Sequence, residues 1–228
     1  MKISIIALSL LSVFVLNFPA QAAVLLQTPS GLAPGDTFRF IFLTQGTITA
    51  TSADISTYDT FVNSQAGSAQ YQGASVSWSA IVSTPTINAR DHVGGYGTNF
   101  PVFRIDGTRI ANSLTTDSAG KGLYTYSVLA SPSFGIDGAA LTGSLNAWTG
   151  SNNDGTKNSF SALGAPAGLP RFGNTTVFTG FWLGENQAFS TDSLRVYGMS
   201  EQLTVIPEPS SIGLLLLGAA GLVARRKR

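Results

Sequence analysis

Few residues in this 228-residue chain could carry chemistry, and their scarcity limits what it can do. There is no cysteine, which excludes thiol catalysis, disulfides and cysteine-ligated metals. His92 is the single histidine, within Arg90-Asp91-His92. A Ser-His-Asp relay would have to run through it, with Asp91 or Asp106 as the orienting carboxylate. No Gly-x-Ser-x-Gly elbow marks the serine. Arg90 and Asp91 as loop-fixing hydrogen bonders need no such partners, and that reading is preferred. Outside the C-terminal tail the glutamates are Glu185 and Glu201, neither with an acidic neighbour in sequence. Asp91 and Asp106 could still meet in space at the separation of about 5 to 9.5 Å that glycoside hydrolysis uses. Asn152, Asn153 and Asp154 could offer oxygens to calcium, with Gly155 permitting a sharp turn. The run lacks the alternating carboxylates and closing Glu of a calcium loop. A turn held by Asn and Asp side chains bonded to their own backbone is therefore preferred. The expectation is a non-enzyme with no catalytic residue, no metal site and no cofactor.

The ends of the chain carry stronger signals. Met1-Lys2 precedes a largely apolar run from Ile3 to Phe18, followed by Ala20-Gln21-Ala22. A basic start, an apolar core and a small-x-small site make residues 1–22 a secretory signal peptide, cleaved by signal peptidase after Ala22. At the other end stand Pro207, Glu208 and Pro209, then an apolar run, then Arg225, Arg226, Lys227 and Arg228. Ile212 to Ala224 contains only apolar residues and glycine, and at a helical rise of about 1.5 Å its thirteen residues reach about 20 Å. A bilayer core of about 30 Å makes residues 211–224 a short transmembrane helix. The basic cluster stays cytoplasmic and leaves the bulk of the chain outside. The paired prolines hold the junction extended, with Glu208 projecting between them, which suits a membrane-embedded protease.

Residues 205–228 thus closely resemble the PEP-CTERM sorting signal of Gram-negative bacteria. The resemblance implies an exosortase as partner, removal of the tail and transient residence in the inner membrane. The protein would then pass to the cell surface or the extracellular space.

Removing both ends leaves residues 23–204 as one domain with room for a sizeable core. Without Lys2 and the terminal cluster, thirteen basic residues become eight; without Glu208, twelve acidic residues become eleven. The mature domain is therefore acidic by about three charges, and a nucleic-acid partner is not expected. Few charges and many small polar residues suit an extracellular β-rich domain.

The elements follow from period. Thr37 to Leu43 alternates, with Phe38, Phe40 and Phe42 on one face and Arg39, Ile41 and Leu43 on the other, which predicts a well-buried strand. Thr51 or Ser52 reads as an N-cap, with Asp54 in the first turn. Ile55, Tyr58, Phe61 and Val62 at helical spacing predict a helix from about Ala53 to Gln65 whose apolar stripe packs on the sheet. Gly67 to Gly73 reads as a small-residue loop. Pro101 to Ala111 reads as a hairpin turning at Asp106-Gly107. Asn112 to Gly143 is irregular and too long for a plain connection, so it is a candidate functional loop. A short strand carries Trp148, Asn158 to Phe172 reads as loop, and Val177–Leu183 and Leu194–Ser200 read as late strands.

Phe103-Arg104-Ile105-Asp106-Gly107, then Ala147-Trp148-Thr149-Gly150-Ser151, then Trp182, then Leu194-Arg195-Val196-Tyr197-Gly198-Met199-Ser200-Glu201 resemble endostatin-like members of the C-type lectin-like superfold, in order. The resemblance implies an α+β domain: a mixed, mostly antiparallel sheet with one or two helices and long loops. Such loops would contact extracellular polysaccharide or another surface protein. The chain departs from the pattern in having no disulfides, with Met199 at a position where cysteine is usual. It also lacks the sugar-binding calcium motifs and a histidine-rich zinc site, so the resemblance implies a fold and a binding habit but no inherited ligand site. Alternatives left open are a secreted hydrolase using His92 and a calcium-dependent lectin.

Overall fold

The computed structural model describes residues 23–115, 121–125, 127–143 and 145–207. The expected signal peptide with Ala20 and Ala22 lies outside these residues. So do Glu208, Pro209, the apolar run and the Arg225–Arg228 cluster. Among the described residues no helix is long and apolar enough to cross a membrane.

In chain order the first elements are β1 (Leu25–Leu26), β2 (Thr37–Leu43) and β3 (Ile48–Thr49). Helix α1 (Ile55–Ala66) follows, then β4 (Gln70–Tyr71), β5 (Ala74–Ser75) and β6 (Trp78–Ala80). A short helix α2 (Ala89–His92) leads to β7 (Val102–Arg104) and β8 (Arg109–Ala111). The chain closes with β9 (Asn146–Trp148), β10 (Arg171–Asn174), β11 (Asn186–Gln187), β12 (Ser193–Ser200) and β13 (Leu203–Thr204). The architecture is mostly sheet with two helices, an α+β arrangement.

β12 is the axis of the main sheet. One edge pairs antiparallel with β2 and β3; the other pairs antiparallel with β6 and parallel with β9. Beyond β2 lie β7, parallel, and then β8, antiparallel. Beyond β9 lie β10 and β11, both antiparallel. A strand paired on both edges and covered on both faces needs apolar residues on each, and β2 supplies them. Phe38, Phe40 and Phe42 enter one core with Tyr58 and Val62 of α1. Ile41 and Leu43 enter a second core with Val102, Ile110, Trp182 and Tyr197. The aromatic rings meet edge to face, Phe38 on Phe40 at 5.1 Å and Phe42 on Trp78 at 4.8 Å.

Several elements differ from expectation, each for a physical reason. α1 begins two residues later than expected, because Asp54 is itself the N-cap and accepts from the Ser56 amide at 3.0 Å. Val177 to Leu183 is not a strand but contains a 3-10 turn at Gly180–Trp182. Trp182 and Leu183 are both buried in the same core, which alternating strand geometry would forbid. β10 falls across the end of a stretch read as loop. Gly173 is required in β10, because a Cβ there would overlap the Trp182 carbonyl. The hairpin turns where expected but differently. Gly107 N bonds Arg104 O at 3.0 Å and only Gly107 takes positive φ, a type I turn closed by a glycine rather than a turn left-handed at both centres.

Candidate functional site

The sorting signal leaves the domain from a built corner. β13 continues the line of β12 and pairs β2, Leu203 with Phe38 and Thr204 with Thr37. Val205 N then donates to Asp36 O at 2.9 Å, and Gly35 N donates to Val205 O at 2.8 Å. Ile206 is held by a side chain: its N–H donates to Gln72 Oε1 at 3.2 Å, and Gln72 Nε2 donates to its carbonyl at 3.3 Å. Pro207, the last described residue, is exposed. The first described residues come to the same hairpin, since β1 pairs parallel with β4 and Gln70 N donates to Val24 O. Both ends of the domain are therefore tied to the β4–β5 ribbon. The predicted motif residue that is described, Pro207, sits at its exit.

The titratable residues gather at a second corner, around α2. His92 Nε2 lies 2.9 Å from Asp59 Oδ1, and the same oxygen accepts from Ala80 N at 2.8 Å. Sequence reading offered Asp91 or Asp106 as partner, and neither is bonded to His92. Asp91 accepts from Asn88 Nδ2 at 2.6 Å, while Asp106 belongs to the β7–β8 turn, where Arg104 holds it. Among the described residues no hydroxyl is bonded to the His92 ring. The nearby Ser83 hydroxyl is engaged with Ser151 Oγ at 2.8 Å and accepts from Ala89 N at 2.9 Å. Asp59 could not be found from sequence, because nothing local links it to a residue 33 positions away.

Arg90 acts as the loop tie its setting suggested. Its guanidinium lies 4.4 Å from the Tyr96 ring centroid and 3.6 Å from Asp154 Oδ2. The 152–157 turn docks beside it, with Arg90 N donating to Gly155 O at 3.2 Å and Lys157 N to Asn88 Oδ1 at 2.9 Å. Tyr124 packs under Gly155, where any Cβ would strike its ring. Burial pushes the Tyr124 hydroxyl well above its ordinary pKa, so it stays neutral. Within the turn, Asp154 Oδ1 accepts from the Thr156 amide at 3.0 Å and hydroxyl at 2.6 Å. Asn152 Oδ1 accepts from Asn158 Nδ2 at 3.0 Å and Arg171 Nη1 at 3.2 Å. Those two oxygens are spent on the fold, whereas the buried Asn153 Oδ1 has no hydrogen-bond partner among the described residues. Among the described residues no three His, Cys, Asp or Glu gather closely enough to hold a metal ion.

Exposed aromatics form a third feature. Arg171 faces Gln187 across β10 and β11, and the ladder runs on through Ala188 N to Pro170 O and Ser190 N to Gly168 O. That register sets Leu169 opposite Phe189, which is 67% exposed. Val128 N bonds Phe178 O at 2.8 Å, so the segment carrying the exposed Leu129 runs beside the exposed Phe178, and Phe181 is exposed three residues further on. All of them stand on connections rather than strands, where binding surfaces commonly lie.

Residues 205–228 match the PEP-CTERM protein-sorting motif. Comparison with curated proteins returned no match.

Proposed function

We propose that the chain is a non-enzymatic surface or extracellular-matrix protein, exported through its N-terminal signal and delivered by an exosortase acting at Pro207-Glu208-Pro209. The observation that carries this is the match over residues 205–228, which begins at the last backbone residue laddered into the domain, Val205. In this reading the Arg225–Arg228 cluster and the apolar run hold the precursor in the inner membrane until the tail is removed. The domain is read as C-type lectin-like. In support, Phe103 to Gly107 lies in the β7–β8 hairpin, Trp148 on β9 and Leu194 to Ser200 on β12, all in one sheet. Its loops, with Leu169, Phe189, Phe178 and Phe181 exposed, are the part proposed to touch exopolysaccharide or another surface protein.

Mass spectrometry of the protein from its host and from an exosortase-deficient strain tests the sorting step. The expected result is loss of the Arg225–Arg228 cluster in the first and an intact Arg228 terminus in the second. An intact terminus in both strains would overturn it. A hydrolytic reading has one observation in its favour, the His92–Asp59 contact. It requires that His92→Ala abolish a measured hydrolysis of a cell-surface polymer while leaving the fold intact.

A further inference from the structure

Gln72 is one of two non-glycine residues with positive φ among those described, at +49°, followed by Gly73 at +84°. Together they form the two-residue turn between β4 and β5, closed by Tyr71 facing Ala74. Both centres of such a turn are left-handed. Asn, Asp and Gly take the first centre readily, because a short polar side chain or none relieves the clash of Cβ with the backbone. Glutamine has no such relief. A residue held in this region persists where its surroundings repay it, and the inference runs from the outlier to its use.

The use is visible in the side chain. Glutamine carries the same amide as asparagine on one more methylene, and that amide grips both backbone groups of Ile206, accepting from its N–H and donating to its carbonyl. It thereby stands in for the missing strand neighbour at the end of the ladder. Val205 is the last residue with backbone partners for both its groups, Asp36 O and Gly35 N. Pro207 brings no N–H, so no ladder donor can follow Ile206 directly. The same device recurs in the molecule: the Asn63 side chain accepts from Trp78 N at 3.1 Å and donates to Trp78 O at 2.6 Å along the edge of β6.

We propose that Gln72 is a clasp that fixes the point at which the sorting peptide leaves the domain, so that the peptide offered for processing begins at Pro207. This rests on the sorting reading above. Gln72 is on this account a positioning residue for tail removal. It touches neither the bond cut nor the enzyme that cuts it. A clasped Ile206 sets a constant offset between the domain and the motif, and it keeps residues 203–206 in the sheet while the tail is gripped from the membrane side.

The test uses the full chain. Gln72→Gly keeps the turn, because glycine takes positive φ freely, and removes only the clasp. Gln72→Glu keeps the reach but cannot donate to the Ile206 carbonyl. In protein purified in detergent from an exosortase-deficient strain, Gln72→Gly is expected to speed hydrogen exchange of the Ile206 amide at least tenfold. Exchange at Val205 changes less, and the melting temperature is unaltered. In the exosortase-bearing host, both variants are expected to show a lower processed fraction or additional termini within residues 203–206, where the wild type gives one terminus. Unchanged Ile206 exchange overturns the clasp. Unchanged termini and processed fraction, with faster exchange, leave Gln72 a structural tie and overturn its positioning role. A wild-type chain that keeps Arg228 in the exosortase-bearing host fails the sorting reading itself, and is distinguished by needing no variant.

Discussion

Arg104 and Asp106 show how much a local motif can hold. The carboxylate takes Arg104 Nη2 at 2.7 Å and Nε at 3.1 Å, and also accepts from the Thr108 amide at 3.0 Å. Held this way, the guanidinium lies 3.7 Å from the Phe134 ring centroid and donates to Ser131 O at 3.1 Å, pinning the irregular loop to the hairpin. Partial burial pushes the Asp106 carboxyl upward, but the Arg104 and Thr108 donors outweigh it and keep it below its usual range. An unfolded Asp titrates near about 3.9, so a depressed folded value contributes stability above that pH and loses it as pH falls through the folded value. Melting curves are therefore expected to show destabilisation on acidification from about pH 4 that is smaller in Asp106→Asn than in wild type. At pH 7 the substitution should cost about 1 kcal/mol, since the pair is only partly buried and Asn keeps one acceptor oxygen. Asp106-Gly107 was legible because a turn signal is local. The partner of His92 was not, because an Asp on one helix meets a His on another only after both dock.

At the scale of elements, α1 is anchored by two kinds of contact. Tyr58, Val62 and Ala66 are buried against the sheet, as helical spacing foretold for the first two; Ile55 and Phe61 are only half-buried. Burial raises the Tyr58 hydroxyl to about 12, so its bond to Ser52 O is made by a neutral donor. Beside the apolar stripe, Asp59 and Asn63 sit four residues apart and cover the free edge of β6, bonding Ala80 and Trp78 where a strand would. Asn63→Ala strips both bonds from Trp78 and is expected to destabilise by about 1–3 kcal/mol in urea titration. Asp59→Asn, which keeps an acceptor for Ala80 N, should cost less than Asp59→Ala. Gly198 completes the dock, because the Phe42 ring and Val62 fill the space a methyl would need. Gly198→Ala should therefore cost about 1–3 kcal/mol by overpacking, read as a lower urea midpoint at constant slope. The apolar stripe of α1 was legible from its spacing, whereas the partners of Asp59 and Asn63 lie across the fold and carry no local signal.

At the scale of the molecule, residues 23–207 carry eight basic and eleven acidic side chains, and several exposed aromatic side chains stand on the connecting segments. If those loops bind extracellular polysaccharide, Phe189→Ser should abolish retention on the host's own polymer while shifting stability by less than about 0.5 kcal/mol, since the side chain is exposed. Retention unchanged in this variant would move the binding surface elsewhere. The amino-acid sequence by itself determined the sorting tail, the two-faced burial of β2 and the hairpin at Asp106. Each of these depends on residues adjacent or alternating in the chain, so short-range sterics and hydrophobic period suffice. Tertiary structure alone decided that Val177 to Leu183 turns so that Trp182 and Leu183 share a core, and that Gly173 opens β10 to the Trp182 carbonyl. It also decided that Gln72 reaches Ile206. Those outcomes depend on which surfaces meet across more than a hundred residues of chain in the last case, and no local pattern encodes the meeting.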